Sequence, residues 1–190
     1  MTTRIGLFAY GSLVDPDSAA RTLGRELPPP VAGRLDGWRR RWSQFRDNLA
    51  VEKTFARRDG GEMPRHLLGL NMERSGSGDE APNGALLEVC EEELLRLDVR
   101  ELRYDRIEVP AGGGFDRVFT YTAKPVNFAP QPPPDSGIVR AYVEFVEAAF
   151  AGLGDAELGL FRETTAPPPV ELVDAVLVRD RIPPGNPREW

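Results

Sequence analysis

One histidine and one cysteine among 190 residues remove most of the side-chain chemistry that lytic enzymes usually rely on. Cys90 has no second thiol to meet, so no internal disulfide forms, and neither it nor His66 has neighbours at the spacing of a zinc site. A His-dependent triad cannot be assembled either. No apolar run approaches the roughly 20 residues of a membrane-spanning helix, and the N-terminus carries no apolar leader. The expectation is therefore a protein of the reducing cytoplasm, with no membrane partner. Lysine is confined to Lys53 and Lys124 beside abundant arginine, which we read as genomic base composition rather than chemistry. Basic charge is in deficit overall: the formal net charge is -6 and the pI about 5.0, which argues against nucleic acid as a partner. Internal repeats are absent. The 19 glycines and 18 prolines fall short of the share that marks a disordered chain. A chain of this length is expected to fold as one domain that buries roughly 70% of its unfolded surface.

What is present begins with Ile5-Gly6-Leu7-Phe8-Ala9-Tyr10, a nearly continuous apolar run of the kind found in a strand covered on both faces. Gly11-Ser12-Leu13 breaks it. A glycine there lets a ligand approach the main chain, and the amides of Gly11, Ser12 and Leu13 are placed to converge on an anion. Asp15-Pro16 then signals a helix from Pro16 to Leu23, capped by Asp15 and stopped at Gly24. An ordinary strand-to-helix turn fits the same pattern.

Val31 to Trp38 reads as a strand, and Arg39-Arg40-Arg41-Trp42 with Arg46 makes a basic run. It fits a binding patch for an acidic ligand or nucleic acid, or a solvated strand face, and the acidic balance of the chain favours the solvated face. Residues 47–62 carry no clear pattern beyond a turn at 57–61. His66 to Met72 and Gly84 to Cys90 read as strands, joined by a polar connector over 75–83. Glu91 to Asp98 reads as a helix whose first-turn acids, Glu91, Glu92 and Glu93, are exposed. Glu101 falls at or just after its end. Pro125 to Pro134 is an extended connector, and Asp135 or Ser136 caps a helix over 138–151. A short helix follows through Phe161. Val170 to Val178 fits helix and strand alike, and Trp190 ends a tail that packs on the body or on a partner.

Taken together, Tyr10-Gly11-Ser12-Leu13, Gly84-x-Leu86-x-Glu88-Val89 and Leu97-Asp98-x-x-Glu101-x-x-Tyr104-x-Arg106-x-x-Val109 resemble the γ-glutamylcyclotransferase family, including its AIG2-like plant relatives. Val118-Phe119-Thr120-Tyr121 and Tyr142 extend the likeness, which covers most of residues 4–154. It implies an α+β fold with a small mixed β-barrel and flanking helices over residues 1–160, leaving 161–190 as a C-terminal tail. It also implies a cavity at one end, a substrate cradle at Tyr10, Gly11, Ser12 and Leu13, Glu101 as general acid/base, and no cofactor or metal. Leu13 stands where many members have asparagine, and residues 39–82 are longer and more charged than a minimal member needs.

The implied substrate is a small γ-glutamyl compound, which carries its own nucleophile, the α-amine. The products are 5-oxoproline and a free amine. Tyr142 is either a cavity residue that bonds the substrate or Glu101, or a helix residue packed on the body. Tyr104 and Tyr121 read as strand core, and Arg106 as a structural partner of Glu108 or Asp105. A binding or interaction module on the same fold is the alternative, and would need the cavity but not the acid.

Overall fold

The N-terminal apolar run folds as a strand covered on both faces. In the computed structural model, which describes residues 3–76 and 80–188, β1 (Ile5–Ala9) is buried at all five positions. After a single 3-10 turn at Ser12–Val14 comes α1 (Pro16–Leu23). Its Asp15 cap accepts the Ser18 amide at 2.7 Å, and Gly24 closes it in the left-handed region at φ 76°. Next come β2 (Val31–Arg34), β3 (Trp38–Asp47), β4 (Lys53–Arg57), β5 (His66–Arg74) and β6 (Asn83–Val89). Then α2 (Glu91–Arg100), β7 (Tyr104–Val109), β8 (Arg117–Ala123), β9 (Ser136–Val139) and α3 (Arg140–Leu153) follow. The chain continues through α4 (Asp155–Thr164), β10 (Leu172–Val173) and β11 (Ala175–Asp180).

No sheet closes into the barrel implied by the family resemblance. The strands form three open sheets, ordered β2-β6-β1-β8-β7, β10-β9-β5-β3 and β11-β4. A barrel would need a backbone ladder joining the first two sheets, and side chains make that link instead. Asn71 Oδ1 on β5 accepts the Ala123 amide of β8 at 2.7 Å, and the Tyr104 hydroxyl on β7 donates to the Leu70 carbonyl of β5 at 2.7 Å. Mixed sheets with flanking helices are what remains of the expectation. β1, β6, β7 and β8 share the first sheet, with β1 antiparallel to β6 and parallel to β8.

Between the layers Leu7, Leu70, Met72, Leu94, Leu97 and Phe150 are almost wholly buried. Each such side chain contributes roughly 1.5–3 kcal/mol. None of the helices among the described residues is long and apolar enough to cross a membrane.

Three local expectations change. The basic run is not one solvated face, because strand alternation splits it. Arg39 and Arg41 reach Glu73 at 3.2 and 3.5 Å, while Arg40 points into the core with 1% exposure. Neither Asp135 nor Ser136 caps α3: Ser136–Val139 pairs as β9 with β5 and β10, and the helix starts at Arg140. Glu93 is buried rather than exposed, because its carboxylate accepts the Cys90 amide at 2.9 Å and pairs with Arg25. Within Val170 to Val178 the strand reading prevails, as β10 on β9 and the start of β11 on β4, with Val170, Glu171 and Asp174 outside the strands. Residues 77–79 of the connector and Trp190 lie outside the described residues.

Candidate active site

β1 delivers the first loop to the end of the sheet. The Tyr10 hydroxyl donates to the Tyr121 carbonyl at 2.7 Å, which fixes the start of the loop on β8. The Val14 amide then closes on the Gly11 carbonyl at 3.0 Å. Because Ser12 and Leu13 open this short helical turn, their amides have no carbonyl of the turn to bond. Gly11 sits at φ -136°, which any residue adopts, so backbone strain is not the reason for a glycine. Its reason is space: a Cβ there would lie 3.3 Å from the Tyr142 hydroxyl.

Glu101 occupies the C-cap of α2, held by its amide on the Leu97 carbonyl and by the Tyr104 amide on its own carbonyl, both at 2.7 Å. Its side chain keeps 19% exposure, and Arg100 Nε lies 3.3 Å from Oε1. Burial pushes the Glu101 carboxyl above its ordinary 4.5, while Arg100 and Arg103 pull the other way without cancelling the shift. Arg100 ties this carboxylate to the first loop, because it also donates to Ser12 Oγ at 3.2 Å, Ser18 Oγ at 2.9 Å and the Thr22 hydroxyl. Asp98, the other acid of the Leu97-Asp98-x-x-Glu101 motif, accepts the Tyr121 hydroxyl at 2.8 Å and faces Arg106 at 3.5 Å. Arg106 is thus a structural residue, with Asp98 as its partner in place of Glu108 or Asp105.

Two connected hollows meet at these residues. An inner recess of about 50 Å³ is lined by Tyr10, Gly11, Ser12 and Leu13 together with Glu101 and Tyr142. Ser12, Glu101, Tyr104 and Tyr142 also border a wider cavity of about 490 Å³, a volume suited to a small ligand. Burial, and after it the Glu101 charge, raises the Tyr142 hydroxyl above its usual pKa, so it is a neutral donor at physiological pH.

The wider cavity is basic although the chain is acidic. Among the described residues Arg46, Lys53, Arg58, Arg100, Arg103 and Arg188 line it, against the two carboxylates Glu52 and Glu101. Burial alone would raise the Glu52 carboxyl, but Arg103, bound at 2.7 and 3.0 Å, and Arg188 bring it to about 2. Sequence reasoning missed this wall. β4 lies in the stretch 47–62, where no pattern was legible, and its partner β11 comes more than a hundred residues later. The available signal was weak: Thr54-Phe55 are strand formers bounded by the turn at 57–61, but Lys53-Thr54-Phe55-Ala56-Arg57 does not alternate.

No protein-family model matches the chain, and no curated protein matches it in sequence. Solved structures do share its fold. YkqA from Bacillus subtilis aligns with a TM-score of 0.54 at 20% identity over 85% of this chain, which spans 54% of that protein's length. An uncharacterised protein from Homo sapiens aligns with a TM-score of 0.53 at 15% identity, covering 86% of this chain and 89% of that one. A yeast γ-glutamyl cyclotransferase specific to glutathione aligns with a TM-score of 0.51 at 14% identity, covering 86% of this chain and 98% of that one. At these identities the likeness is one of fold, and the homology is remote.

Proposed function

We propose that this protein is a cofactor-independent γ-glutamyl cyclotransferase that releases 5-oxoproline and an amine from a small γ-glutamyl compound. The observation that carries the reading is the meeting of a raised-pKa carboxyl, Glu101, with the Tyr10 to Leu13 loop in one recess. The fold shared with the yeast enzyme supports it.

In this scheme the amides opening the turn at Ser12 hold the oxygen that becomes negative when the γ-carbonyl is attacked. Glu101 takes a proton from the substrate's α-ammonium, and the freed amine adds to the γ-carbonyl carbon of the same molecule. Glu101 returns its proton to the departing nitrogen, collapse of the tetrahedral species breaks the amide C–N bond, and the ring nitrogen sheds its remaining extra proton so that the amine leaves as its ammonium. A carboxyl raised by burial is better matched to both transfers near neutral pH than an exposed one. Holding the substrate folded supplies much of the remaining acceleration, because nucleophile and electrophile are already joined.

The test is to incubate the protein with a panel of γ-glutamyl amino acids, peptides and amines and to assay 5-oxoproline. Release from at least one compound, abolished in Glu101→Gln, is the expected result. Binding without release across the panel would favour the non-catalytic module on the same fold.

A further inference from the structure

Arg46 is a cavity cation that has no ion-pair partner among the described residues. It lies on β3 opposite Leu67 of β5, with its guanidinium 5.2 Å from the centre of the Phe55 ring. Among the described residues no carboxylate lies within ion-pair distance of it, and no acceptor takes its N–H groups. Its neighbours on the cavity wall are engaged: Arg100 with Glu101, Arg103 and Arg188 with Glu52, and Lys53 with Asp180. Arg58 stands exposed at the rim. Burial, and then the adjacent Arg103, lowers the Arg46 pKa to about 10, so the group stays charged at neutral pH. The Glu52 charge, shared with Arg103 and Arg188, only partly offsets this; a half-buried cation without an ion pair of its own is costly to the fold, and such costs persist where a ligand supplies the missing charge.

We propose that Arg46 binds a carboxylate on the leaving amine of the substrate, and so makes this end of the cavity select amino acids or peptides over neutral amines. The inference rests on the cyclotransferase reading for the identity of the leaving group. Position supplies the argument. Arg46 lines the wider cavity but not the inner recess, whereas Glu101 and Ser12 line both. A ligand whose γ-carbonyl is held where the recess opens, against Ser12 and Glu101, therefore directs its amine side toward the wall that carries Arg46. The planar guanidinium offers two parallel donors to a carboxylate there, and Phe55 behind it restricts its rotamers.

The experiment uses γ-glutamylglycine and γ-glutamylglycinamide, which differ only in the terminal charge. Their dissociation constants are measured by calorimetry on the full chain carrying Glu101→Gln, so that neither ligand is consumed. The acid should bind on the order of tenfold more tightly than the amide, as a single charge-assisted pair gives. Arg46→Met in the same background should abolish that preference, and Arg46→Lys should restore part of it. Arg46→Met should melt no lower than its parent, because it removes a half-buried cation that has no ion-pair partner among the described residues. Equal affinity for the two ligands, binding of neither, or a preference that survives Arg46→Met would overturn the proposal. The parent comparison decides even where the methionine variant misfolds. An acid preference without any 5-oxoproline from the unmodified chain would overturn the cyclotransferase reading alone. Release of 5-oxoproline with no acid preference would overturn the Arg46 proposal alone.

Discussion

At the scale of single residues, Glu101 carries the most consequence. Glu101→Gln keeps the shape but cannot accept a proton, so turnover on a verified substrate should fall by on the order of 10²–10⁴-fold. Stability should move the other way. The folded protein holds this carboxyl above its ordinary 4.5, so the neutral form is the stabilising one, and that contribution is lost as pH rises through the elevated pKa. Glu101→Gln should therefore melt above the parent near pH 7, with the gap closing below about pH 4.5. Thermal melts across pH check the sign, and a variant less stable than its parent at pH 7 would contradict it. Glu91 and Glu92 are suitable exposed controls, whereas Glu93 is not, since it caps α2 and pairs with Arg25. Gly84 offers a second test, because a Cβ there would lie 2.3 Å from the Ala9 carbonyl and 2.7 Å from the Phe8 ring. Gly84→Ala should cost about 1–3 kcal/mol or more in urea unfolding. Near Gly11 the clash is with the movable Tyr142 hydroxyl, so Gly11→Val should impair ligand binding more than folding, and Ser12→Ala should be milder in both.

Between elements, two linkages decide the shape of the site. Arg40 joins β3 to β6 and α4: its guanidinium lies 4.9 Å from the Phe150 ring and 4.4 Å from the Phe161 ring. It donates to the Asn83 carbonyl at 2.6 Å and to Thr165 Oγ1 at 2.7 Å. A lysine cannot reproduce that fork, so Arg40→Lys should destabilise by on the order of 3 kcal/mol despite keeping the charge. The other linkage is β11 with β4. Ala175, Val176, Leu177, Ile182 and Arg188 form one wall of the wider cavity, although they come from the part of the chain read as a tail. A chain ending at residue 174 should retain the circular dichroism of the main sheets and lose at least about tenfold in ligand affinity, since a wall rather than the core is removed. Undiminished affinity would show that β11 takes no part in binding.

For the molecule as a whole, charge is segregated: an acidic chain encloses a basic cavity. The basic run on β3 offers no continuous strip to a phosphate backbone, because Arg40 is internal and Arg39 and Arg41 face Glu73. No salt-dependent binding to single- or double-stranded nucleic acid is expected in a gel-shift titration, even at low ionic strength. Small anions should instead compete with ligand at the cavity. Much of the local structure was legible in the sequence because it is set by neighbours along the chain. The apolar run of β1, the Asp15-Pro16 start and Gly24 stop of α1, and the placing of Glu101 at the end of α2 all follow from period and capping. What only tertiary structure decided are the relations between distant segments. Whether the sheets close depends on ladders and cross-links such as Asn71 to Ala123. Whether Arg40 and Arg46 meet water, core or cavity depends on which segments cover β3. Composition cannot carry that information, since an arginine has the same sequence signature whether it is solvated, packed against a phenylalanine pair or lining a cavity.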